Sequence, residues 1–173
     1  MFYVIDANNR LVDVDRDWDS FLSHNGGAAH AASQQVLGQP LDQFLAGDAT
    51  KMFVRAALDA ARLLGQTRAL PYRCDSPSER RQFEMVISPV GNGHVKVEHR
   101  LLSSQARTTR PSAPAQPTAL WRCSQCLAVR HAGSPDWLST DVAGLDVAHS
   151  GATGTHGPLA QDVCPSCARR LFT

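Results

Sequence analysis

Two Cys-x-x-Cys pairs, Cys123-Ser124-Gln125-Cys126 and Cys164-Pro165-Ser166-Cys167, stand 37 residues apart, and no other pattern in the chain restricts its fold as strongly. A pair of thiolates two residues apart fits one tight turn, and two such pairs face to face supply four sulfurs of a tetrahedral zinc site, each about 2.3 Å from the metal. Ser124, Pro165 and Ser166 suit turns whose backbone N–H groups point at the sulfurs. Residues 119–173 contain few large apolar side chains, so a metal staple is useful there. The expectation is a structural Zn2+ held by Cys123, Cys126, Cys164 and Cys167. Four cysteines close the coordination shell, which argues against catalysis at that metal. Thioredoxin-like chemistry needs a βαβ context that this Gly-rich segment lacks. His131, His149 and His156 read as loop histidines, and 151–158 as a flexible loop.

Metal-ligating thiols presuppose reducing surroundings, and the sequence agrees with a cytoplasmic setting. Residues 1–6 reach Asp6 without a basic run, unlike a signal peptide, and no apolar stretch approaches the roughly 18 residues of a membrane span. With 17 Lys+Arg against 16 Asp+Glu, the chain generates no global field for nucleic acid or anionic membrane.

Residues 103–118 hold Pro111, Pro114 and Pro117 and no aliphatic side chain larger than Ala. Such a segment cannot offset its ordering entropy and is expected to be a linker. It divides the chain into residues 1–102, with 11 basic and 12 acidic side chains, and residues 119–173, with four of each. Arg122, Arg169 and Arg170 are expected to compensate the thiolates around the metal. Phosphate contacts need cationic surface, so nucleic acid is not the partner expected.

The first segment opens with two short apolar runs, Phe2 to Asp6 and Leu11 to Asp15, joined by Ala7-Asn8-Asn9-Arg10, a hairpin pattern. Trp18, Phe21 and Leu22 mark one face of a short helix that Asn25-Gly26-Gly27 ends. Residues 41–45 make another helical turn. A longer helix follows, with Asp48 as N-cap, Met52, Phe53, Ala56, Ala60, Leu63 and Leu64 as its apolar stripe and Gly65 as its stop. Three alternating strands complete the segment: Leu70 to Asp75, Gln82 to Ser88 and His94 to Glu98, the last two joined through Gly91-Asn92-Gly93. Two strands, helices, then three strands predict an α+β fold with a five-stranded antiparallel sheet. Alternation places Cys74 inward beside Leu70 and Tyr72. Such a thiol is usually a small hydrophobe, and nearby Arg73, Arg80 and Arg81 make it the one candidate sensing thiol. His24, His30, Cys74, Met52 and Met85 are the side chains able to ligate haem, without diagnostic spacing. Asp13, Asp15, Asp17 and Asp19 read as solvated positions and a cap.

The strand-and-helix order resembles the PAS domain over residues 1–102. The resemblance rests on Tyr3-Val4-Ile5-Asp6, Arg10 to Asp15 with Trp18 and Phe21, Val36 to Leu41, and the hairpin around Gly91. Asp17-Trp18-Asp19-x-Phe21 and Tyr72-Arg73-Cys74-Asp75-Ser76-Pro77 look like a bacterial subgroup. It implies a five-stranded antiparallel sheet with a helical crossover after the second strand, and a sensing or partner-binding module whose ligand is haem, flavin, a metabolite, a metal or nothing. Trp121-x-Cys123-x-x-Cys126, Trp137 and Cys164-Pro165-x-Cys167 resemble a small zinc ribbon found on bacterial sensor and two-component proteins. There a His-Gly pair commonly precedes Cys-Pro-x-Cys; here Asp162-Val163 do. Together these imply a non-enzymatic, homodimeric sensor or adaptor acting through a protein partner of a signalling pathway. The alternatives are a redox- or metal-responsive thiol/zinc switch and, less supported by charge, a nucleic-acid-binding regulator.

Overall fold

The computed structural model describes residues 1–24, 32–76, 78–106, 120–139 and 159–171. Strands β1 (Phe2–Ile5) and β2 (Leu11–Val14) form a hairpin whose turn places Asn9 at φ 59°. Asp6 shapes that turn, its Oδ1 accepting the N–H groups of Asn8 and Arg10. Helices α1 (Trp18–His24), α2 (Ser33–Val36) and α3 (Asp48–Leu64), with a 3-10 turn at Leu41–Phe44, precede β3 (Arg68–Arg73), β4 (Glu79–Gly91) and β5 (His94–Ala106). The strands form one antiparallel sheet in the order β2-β1-β5-β4-β3. The fold is therefore α+β, with its described helices inserted between β2 and β3. The β4–β5 turn is Asn92-Gly93, at φ 53° and 74°, as a two-residue hairpin loop with both residues left-handed requires.

One face of the sheet, with Tyr3, Ile5, Leu70, Met85, Ile87, Val95 and Val97, packs on α3 to build the core. The expected α3 stripe is corrected. Phe53, Val54, Ala57, Leu58 and Ala61 are buried, while Met52 and Leu63 are 72% and 85% exposed and Leu64 is also exposed. The cause lies in Arg62, which donates to the Asp6 carbonyl, Asn9 Oδ1 and the Gly93 carbonyl. That side chain pins α3 against both hairpin turns, and the small Ala57 and Ala61 then face the sheet. The N-cap is Gly47 rather than Asp48, and Gly65 ends the helix at φ 62°.

Three further differences concern the edges. Helix α2 lies in a stretch without a helical apolar pattern and forms around one buried residue, Val36. Strand β5 pairs with β4 as far as Ala106, four residues into the segment expected to be linker; residues 107–119 lie outside the described residues. Strand β3 ends at Arg73, so Cys74 is not an inward strand residue but an exposed one. Asp75 redirects the chain there, pairing with the Arg73 guanidinium and accepting the Arg81 N–H at 3.1 Å.

The C-terminal module has its own three-stranded sheet, β7 (Val129–His131), β6 (Leu120–Cys123) and β8 (Leu159–Asp162) in that spatial order, and helix α4 (Pro165–Arg169). β6 pairs antiparallel to β7 and parallel to β8. The module packs on the first sheet unit: Leu171 joins the main core, its carbonyl accepts from Arg68 Nη1 at 2.8 Å, and the Gln125 carbonyl accepts the Arg73 N–H at 2.7 Å. No described helix is long and apolar enough to cross a membrane.

Candidate metal centre

Cys123 ends β6, Cys126 closes the turn after it, Cys164 precedes α4 and Cys167 lies on that helix. The second pair therefore opens a helix instead of forming a second hairpin turn. Pro165 at the start of α4 supplies this, because its fixed φ suits the first helical position and its missing N–H is not needed there. Parallel pairing of Cys123 with Asp162 then brings the two pairs together. Their four Sγ atoms all lie within 4.8 Å of one another.

The geometry fits a metal. Sulfurs about 2.3 Å from a common tetrahedral centre stand about 3.8 Å apart, and Cys126 Sγ lies 3.7 Å from Cys164 Sγ. All five cysteines are free thiols. Cys123, Cys164 and Cys167 are buried and Cys126 is half-buried. Backbone N–H groups of Gln125 and Cys164 donate to Cys123 Sγ at 3.4 and 3.3 Å. The Cys123 thiol is held well below its ordinary value, first by the Cys126 thiol donating to it and next by that of Cys167. Sharing those protons raises Cys126 to about 11 and lifts Cys167 as well. Negative charge thus gathers in a small volume where a cation can replace the shared protons.

Arg169 Nη2 donates to Ser166 Oγ, and burial lowers the pKa of Arg122. Arg130 carries no signal in the sequence, yet its guanidinium lies over both Trp121 and Trp137, 4.9 and 5.3 Å from their centroids, and faces Asp162 at 3.7 Å. A lone Arg and two distant tryptophans show such contacts only once β6, β7 and residues 134–138 are folded together. His131 is exposed at the end of β7; His149 and His156 lie outside the described residues.

No protein-family model matches the sequence, and no curated protein matches it. A solved domain of an HTR-like protein from Haloarcula marismortui is similar in structure at 14% identity, covering 59% of this chain and 96% of that domain with a TM-score of 0.44. That degree of likeness assigns neither a family nor an activity.

Beside the cysteine centre a cavity of about 560 Å³ opens between the first sheet, its helices and the Ser124-Gln125 turn. Tyr72 Oη and His99 Nδ1 share a hydrogen bond of 2.8 Å on its wall. Burial, and secondarily the N-terminal ammonium, lowers His99 to about 4, so its ring is neutral near pH 7. Cys74 borders the same cavity. Although the residue is exposed at the border of the cavity, partial desolvation of its thiol raises its pKa, and Arg81 offsets this only in part, which opposes a reactive thiolate. Of the other haem-capable side chains, Met85 lines this cavity too and Met52 faces solvent, while the side chain of His24 and the whole of His30 lie outside the described residues. Of the acidic run, Asp15 holds the Phe2 N–H and Asp19 holds Ser33, which are structural roles.

Proposed function

We propose that this chain is a cytosolic, non-enzymatic sensor or adaptor in which a PAS-like unit receives a signal and a zinc ribbon, docked on it, presents the output surface to a protein partner. The PAS-like unit comprises residues 1–102 with the strand extension to Ala106, and the zinc ribbon residues 119–173. The observation that carries this is the position of the four sulfurs. They are gathered within 4.8 Å in a module whose Leu171 enters the main core, so a metal there fixes the surface that this module presents against the sheet unit. A closed all-thiolate shell gives the metal a structural role and leaves no open position for substrate. The five antiparallel strands with helices between β2 and β3 support the PAS-like assignment.

Metal content and free thiols of the anaerobically purified full chain, before and after mild peroxide, test this. The expected result is one tightly held zinc per chain, retained after peroxide, with Cys74 alone open to thiol reagents. Zinc release with pairwise disulfide formation would establish the thiol/zinc switch instead, and a chain that takes up no zinc would overturn both.

A further inference from the structure

One wall of the 560 Å³ cavity belongs to the metal module. Gln125, between two of the four cysteines, is 5% exposed. Its N–H donates to Cys123 Sγ at 3.4 Å, and its carbonyl accepts the Arg73 N–H of β3 at 2.7 Å. One peptide segment thus ties a sulfur of the centre to the sheet edge, with Ser124 and Gln125 both facing the cavity. Displacing Cys123 Sγ displaces that wall.

The rest of the lining sets the class of occupant. Tyr3, Trp18, Phe44, Val54 and Met85 dominate it, and two charge-bearing residues of the lining are paired with carboxylates outside it: Arg73 with Asp75, and the Met1 ammonium with Asp15 at 3.7 Å. An ionic ligand would find no uncompensated counter-charge in those two pairs and would lose its hydration. The volume lies in the range of small-molecule sites.

We propose that the cysteine centre controls this cavity: the Ser124-Gln125 turn, held in place by bound metal, forms the wall against which an uncharged, predominantly apolar small molecule packs. The proposal rests on the metal reading above. Metal and molecule then bind with positive cooperativity, and linkage makes the effect reciprocal.

The test uses the full chain, zinc-loaded or metal-free under anaerobic reducing conditions, titrated with the neutral fluorophore N-phenyl-1-naphthylamine. Metal-free protein is expected to bind the probe on the order of tenfold more weakly. Saturating probe is expected to raise zinc affinity, measured against a chromophoric chelator, by the same factor. Zinc-loaded Ser124→Trp, which fills the cavity from the knuckle side, is expected to lose probe binding, and its zinc affinity is then indifferent to the probe. Equal probe affinity with and without zinc, or wild-type affinity in Ser124→Trp, would overturn the proposal. Should the metal-free chain lose its sheet by circular dichroism, the chelator competition in wild type and Ser124→Trp decides, since both begin folded. A chain that takes up no zinc fails the earlier proposal at loading, whereas one zinc without coupling overturns this proposal alone.

Discussion

Arg130 braces the C-terminal module without touching the cysteines. Its guanidinium lies over both Trp121 and Trp137 and donates to the Ser134 carbonyl at 3.3 Å. Cation–π contacts contribute about 0.5–2 kcal/mol depending on desolvation. Arg130→Ala should therefore lower stability by about 1–2 kcal/mol in urea unfolding followed by tryptophan fluorescence, and Arg130→Lys, which keeps charge but loses the planar stack, should fall between. His99 carries a pH signature. Its pKa is about 4 in the fold against an ordinary 6.5, so the unfolded chain takes up the proton first as pH falls. The stability from keeping this ring neutral is complete above pH 6.5 and is lost as pH drops toward 4, by about 3 kcal/mol at most. His99→Gln should flatten the pH dependence of urea midpoints across that window relative to wild type. Neither residue was legible in the sequence, because the Tyr72 partner and the two tryptophans come from other strands and loops. The four metal-capable cysteines were legible because their chemistry is written in local spacing.

At the level of elements, α3 shows where a periodic pattern misleads. The stripe expected from the pattern, Met52, Phe53, Ala56, Ala60, Leu63 and Leu64, shares only Phe53 with the packed face, which is built on Phe53, Val54, Ala57, Leu58 and Ala61. Small residues permit close approach of a helix to a sheet, but the pattern selected Ala56 and Ala60, whereas Ala57 and Ala61 are the alanines that are buried. Leu58→Ala should cost about 2–5 kcal/mol as a core cavity, and Leu63→Lys should change stability by less than about 0.5 kcal/mol, both measured by urea denaturation. The antiparallel strands were legible from alternation and from Gly91-Asn92-Gly93. Their length was not: polar residues 103–106 of β5 extend the ladder through backbone bonds to β4, for which side-chain alternation carries no information. Likewise, Pro165 promised a turn and delivered the first turn of α4.

At the scale of the molecule, the proline-rich segment suggested two separate bodies, while Leu171, the Arg68 contact to its carbonyl and the Gln125–Arg73 bond join them. Contacts more than 50 residues apart in sequence leave no trace in composition. Leu171→Glu should place a charge in that shared core and undock the module. Calorimetry is expected to show one cooperative transition for the zinc-loaded wild type and two for this variant; a single unshifted transition would show that the docking contributes little. All of this depends on the cysteine centre holding one metal in a closed sulfur shell, and cobalt(II) titration of the metal-free full chain tests that most directly. The account predicts saturation at one cobalt per chain with intense thiolate-to-cobalt charge-transfer absorption and tetrahedral ligand-field bands, unchanged in Cys74→Ser and diminished when Cys123, Cys126, Cys164 or Cys167 is replaced by Ser. A weak six-coordinate spectrum, or a spectrum that survives loss of Cys164, would contradict it.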